Sequence, residues 1–195
     1  MKRSASVDRK TKETAIRVVF TIDGVGSAEM STGIPFFDHM LTLFSAHGFF
    51  DLTVDATGDL EVDAHHTVED VGLVLGDALK KALGDREGIK RYGRAVVPMD
   101  DTLAAVTVDL SNRPYLVYRI GEKTGSGGVF DISLSREFFR AFATRAGMNL
   151  HINIFYGENE HHMIEAVFKA CGRALDQATG IDERLKGIPS TKGIL

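Results

Sequence analysis

The sequence holds a single cysteine, Cys171, among 195 residues. No internal disulfide can form, so the fold needs no oxidising compartment. No apolar stretch approaches the roughly 20 residues of a membrane span, and the N-terminal run MKRSASVDRKTKE lacks the apolar centre of a signal peptide. No membrane association and a cytoplasmic location are therefore expected. Runs of one charge are missing too: 23 Lys and Arg stand against 27 Asp and Glu, a net charge of −4. Without a basic stripe, nucleic-acid binding loses its usual footprint. Hydrophobic residues make up 44% and charged residues 26%, which excludes disorder, collagen-like repeats and coiled coil as descriptions of the whole chain.

What stands out against this ordinary background is seven histidines. Four of them lie in two copies of His-His-x-x-Glu, HHTVE at 65–69 and HHMIE at 161–165. Shifting the first half by 96 positions aligns nine identities within twenty residues, from His65 on His161 to Gly84 on Gly180. Such self-similarity marks a duplication. At a shift of 98, His39 falls on Glu137; at a shift of 88, Glu13-Thr14 falls on Asp101-Thr102.

Periodicity gives the same order twice. In the first half, 13–22 alternates as a strand, Asp23-Gly24 supplies a turn and 25–33 returns as a second strand. A helix over 36–47, a strand over 49–55 and a helix over 65–83 follow. In the second half, strands are expected at 102–110 and 114–120, a helix at 135–145, a strand at 148–156 and a helix at 160–177. The glycine-rich segment at 121–128 lacks the Lys-Ser/Thr of a phosphate-binding loop and is expected to be a hairpin tip or linker. The expected fold is α/β (α+β): duplicated β-β-α-β-α halves, about 9–88 and 92–182, each a mixed sheet with helices on one face. Residues 183–195 form a tail.

On a helix, residues four apart share a face, so His65 meets Glu69 and His161 meets Glu165. The neighbouring His66 and His162 point about 100° away, a geometry that suits two metal ions rather than one. Imidazole with carboxylate suits Mn, Fe, Zn or Co. His39 and Glu137, at matched positions on the preceding helices, are candidates to complete the two shells, with polar residues of a helix surface as the alternative reading. His47 and His151 have no matched partner and are expected to be structural.

The runs STGIPFFDHMLTLFSAHGFFDL (31–52), HHTVEDVGLVLGDAL (65–79), YGRAVVPMDDTLAAVTVDLSNRP (92–114) and LHINIFYGENEHHMIEAVFKACGRAL (150–175) resemble imidazoleglycerol-phosphate dehydratase, the lyase of histidine biosynthesis. The resemblance covers essentially the whole chain. It implies a large octahedral homo-oligomer with active sites between subunits, each holding two Mn2+ ions. The implied ligands are His39, His65, His66, Glu69, Glu137, His161, His162 and Glu165. Many relatives carry histidine where this chain has Glu137. It further implies Glu13 of KETAI as the acid/base, and Arg91, Arg113, Ser190, Thr191 and Lys192 around the substrate phosphate. Without the family, Arg94 is as good a candidate as Arg91, and the tail reads as a loose terminus.

The implied reaction is dehydration of imidazole glycerol phosphate. A metal-bound imidazolate expels the adjacent hydroxyl through a diazafulvene-like intermediate, and a carboxylate takes the proton of the next carbon. The resulting enol collapses to imidazole acetol phosphate. A metal-storing assembly and a dinuclear hydrolase are the rival classes; storage needs no phosphate clamp.

Overall fold

The computed structural model describes residues 2–120 and 130–195, so the glycine-rich segment at 121–128 lies outside the described residues. The first half runs β1 (Ser4–Lys10), β2 (Thr14–Thr21), β3 (Ala28–Ser31), α1 (Pro35–Gly48), β4 (Asp51–Gly58) and α2 (His65–Leu83). The second runs β5 (Tyr92–Met99), β6 (Thr102–Asp109), β7 (Tyr115–Arg119), α3 (Ile132–Ala146), β8 (Asn149–Tyr156) and α4 (Glu160–Thr179). Each half thus has one strand more than expected, at its start. Both additions are edge strands. Only Val7 of β1 is buried, and β5 carries Arg94 and Pro98, so neither has the apolar alternation that betrays a strand. An edge position tolerates both, because one backbone face stays unpaired.

The sheets share one topology, β1-β2-β4-β3 and β5-β6-β8-β7. The expected return of 25–33 against the preceding strand does not occur: β3 pairs parallel to β4, as β7 does to β8. Asp51 at the start of β4 accepts the Val25 and Ser27 N–H groups at 2.8 and 3.2 Å, which draws this loop across the end of β4 and away from β2. All other pairings are antiparallel. Alternation sets the inner face, with Ile16, Val18 and Phe20 of β2 buried opposite Ala56, Val54 and Leu52 of β4.

Four helices fill the space between the sheets. The α2 helix lies on β1 and β2 and crosses α3, while α4 lies on β5 and β6 and crosses α1. Glycine permits both crossings at repeat-equivalent positions. A Cβ on Gly76 would come within 2.8 Å of the Phe142 carbonyl, and one on Gly172 within 2.4 Å of the Phe44 carbonyl. Phe37, Phe138, Phe139, Phe142 and Phe168 interlock in this helical layer, with ring centroids 4.8–5.9 Å apart. Each such buried ring contributes about 1.5–3 kcal/mol, so the two halves share one core.

Candidate active site

The His-His pairs open α2 and α4, and the loops before them fix where each helix starts. Asn159 caps α4 by accepting the His161 N–H at 2.9 Å, and Asp63 accepts the His65 N–H at 2.7 Å. From these starts the i,i+4 pairs form as their spacing demands.

The first cluster joins α1 to α4. His161 Nε2 lies 3.2 Å and His39 Nε2 3.5 Å from Glu165 Oε2, and the three donor groups lie within 4.8 Å of one another. Glu165 is buried, whereas both imidazoles are half exposed. Burial alone would raise the Glu165 pKa. Lys169, one turn on and 2.5 Å from Oε1, together with His161 and His39 offsets that burial, and the carboxyl is held below its ordinary value. Two imidazoles converging on one ionised, buried oxygen suit a borderline divalent cation.

The second cluster joins α2 to α3. His65 Nε2 lies 3.7 Å from Glu69 Oε2, and Arg140 of α3 reaches Glu69 Oε1 at 3.4 Å while also pairing with Glu137. Among the described residues, only the first cluster brings three donors so close together.

His66 and His162 turn away from both clusters. His66 Nδ1 meets Asp59 at 3.0 Å and His162 Nδ1 meets Asp101 at 2.5 Å. Each hydrogen bond raises its imidazole's pKa against the opposing effect of burial. In each case a carboxylate on Nδ1 fixes the orientation of the ring, and His162 Nε2 faces the exposed Asp100 carboxylate at 3.6 Å. Glu13 sits in the turn between β1 and β2, near enough for its charge to raise His66 as well.

Away from these groups, Arg91, Arg113, Ser190, Thr191 and Lys192 line one cavity of about 440 Å³. Arg91, at φ 70°, is locked by Asp109 (2.7 Å) and by the Pro189 carbonyl of the tail (2.9 Å). The two arginines are separated in space: Arg94 lines a different cavity, with His47 and Arg173. His47 is not isolated, because burial and the charges of Lys169 and Arg173 lower its pKa. His151 lines a surface cavity with Asp109 and Asn153.

The profile of the imidazoleglycerol-phosphate dehydratase family matches residues 32–175. The chain belongs to the imidazoleglycerol-phosphate dehydratase family. It is 60% identical over 195 residues to the imidazoleglycerol-phosphate dehydratase of Desulfosudis oleivorans, with each chain fully covered. It is also 60% identical to that of Syntrophobacter fumaroxidans, covering 100% of this chain and 98% of the relative. The crystal structure of the Pyrococcus furiosus enzyme in complex with (S)-C348 superposes with a TM-score of 0.85 at 40% identity, over 97% of this chain and 100% of that one. The Staphylococcus aureus enzyme gives 0.82 at 38%, over 92% and 99%. The duplicated α+β fold agrees with both, and no helix among the described residues is long and apolar enough to cross a membrane.

As a member of this family the chain is a hydro-lyase of histidine biosynthesis acting on a small phosphorylated substrate. Four side chains at its polar clusters escaped the sequence: Asp59, Asp101, Arg140 and Lys169. Two left a signal. Asp101 is the repeat counterpart of Glu13, and Lys169 stands four residues after Glu165.

Proposed function

We propose that this chain dehydrates imidazole glycerol phosphate to imidazole acetol phosphate in the cytoplasm, at sites that each take two Mn2+ ions and are completed between subunits of an octahedral homo-oligomer. The observation that carries this reading is the convergence of His39, His161 and Glu165, from two separated helices, within 4.8 Å. These three would hold one ion, and His65, Glu69 and Glu137 the other. His66 and His162, turned away with Nδ1 engaged by a carboxylate, would serve neighbouring subunits. The cavity that gathers Arg91, Arg113, Ser190, Thr191 and Lys192 contains none of these ligands, which again favours a site assembled from several chains.

When bound, the ions act as Lewis acids on the imidazole ring of the substrate. The chain's own groups do the rest. Arg91, held by Asp109, and Arg113 grip the phosphate with planar donor forks, while the tail folds over it with Ser190, Thr191 and Lys192. Glu13 takes the proton from the carbon beside the one that loses hydroxide. The atoms balance as one water lost, and the enol left behind becomes the ketone. Because Glu13 stands beside His66, a subunit lending His66 lends the base with it.

The test is incubation of metal-stripped protein with imidazole glycerol phosphate, with and without Mn2+. Ketone formation that depends on the metal is expected. Release of inorganic phosphate would favour a hydrolase, and metal uptake without turnover a storage protein.

A further inference from the structure

Arg140 occupies a place that nothing in the duplication prepares for. Its repeat counterpart on α1 is Thr42, whose hydroxyl donates within its own helix to the Asp38 carbonyl at 2.8 Å. The first cluster therefore has no side chain in the corresponding place that reaches its carboxylate. Among the described residues its one paired lysine or arginine, Lys169, comes from the same helix as Glu165 and takes Oε1, leaving Oε2 to face both imidazoles.

The second cluster is built otherwise. One Arg140 nitrogen lies against Glu69 of α2 and Glu137 of α3 together. Glu137 Oε2 is buried and receives no hydrogen bond, although the guanidinium meets it as an ion pair. An ionised oxygen enclosed in this way suits a bare cation better than a directional donor. The three groups here do not reach the mutual closeness of the first cluster. Arg140 itself is more than half exposed, so swinging it into water has little to overcome.

We propose that Arg140 is an internal counter-ion of the second cluster, which must leave before a metal ion can bind there. The two ions then load in order, first at His39, His161 and Glu165, and second at His65, Glu69 and Glu137. This rests on the ligand assignment above. The device follows from Glu137: a carboxylate at this position attracts the guanidinium, whereas a neutral side chain here would not. Arg140 is thus a positioning residue, holding two carboxylates together in the metal-free state while opposing the cation that replaces it.

The experiment is a Mn2+ titration of the full-length, metal-stripped protein, with free Mn2+ read from its EPR signal. Wild type should show two classes of site of equal number, one weaker. Arg140→Gln should tighten the weaker class on the order of fivefold, the change that ion pairs of this exposure carry, and leave the tighter class alone. Arg140→Lys, which keeps the charge on a compact ammonium in place of the planar guanidinium, should tighten it by less; it also stands in if the glutamine variant fails to assemble. A weaker class unchanged or loosened in both variants would overturn the counter-ion. A wild-type chain that takes up no Mn2+ would overturn the ligand assignment on which it rests.

Discussion

Glu13 is exposed, and its own backbone N–H is already served by Thr11 Oγ1 at 3.1 Å. Among the described residues its carboxylate makes no ion pair, so the fold does not depend on it. Glu13→Gln should therefore leave thermal stability and metal content as in wild type while turnover drops by about 10²–10⁴, the usual contribution of an acid/base group. Turnover close to wild type would remove Glu13 from the mechanism. Single charges of this kind are hard to find in a sequence. Histidines 65, 66, 161 and 162 were legible because the duplication printed them twice, whereas Asp59 and Arg140 occur in one half only. A surface charge has no periodicity, and its partner is set by a loop or a helix crossing that the local sequence does not encode.

Helices and inner strands were legible for the opposite reason, since burial against a sheet imposes a period. The edge strands β1 and β5 escaped because their outward faces mix polar with apolar residues and their inward residues are mostly small or only partly buried, and β3 was assigned the wrong neighbour because Asp51 redirects its loop. Helix crossings are legible only as glycines without an explanation until the partner is seen. At Gly172 the partner is the Phe44 carbonyl, and backbone cannot yield as a side chain can. Gly172→Ala should cost roughly 1–3 kcal/mol through overpacking. Denaturant unfolding of metal-free protein measures it, and a cost near zero would mean that α1 shifts freely along α4.

The halves are also tied at the surface. Arg3, ahead of β1, clamps Asp23 and reaches the Thr179 carbonyl at the end of α4 at 2.7 Å. Its hydrogen bonds and charge hold Asp23 below its ordinary value despite partial burial. A carboxyl lowered in the folded state stabilises it above the unfolded value of about 3.9, and that contribution is lost as pH falls through the folded value. Asp23→Asn should therefore be less stable than wild type at pH 6, with the gap closing as the solution is acidified below pH 4; a gap constant with pH would exclude the charge as its origin. For the assembly, chelation should lower the sedimentation coefficient if His66 and His162 bridge chains. Metal loss at unchanged mass would refute the bridging.

Each cluster draws its side chains from both halves of the duplication: α1 of the first with α4 of the second, and α2 of the first with α3 of the second. Pairing two half-length chains about a two-fold axis would give the same crossings and two identical clusters, because an isologous interface uses every contact twice. In such an ancestral dimer any substitution at a ligand position would strike both clusters at once. In a single chain that constraint is absent, and positions 39 and 137, with 42 and 140 beside them, are where the two repeat-related clusters differ.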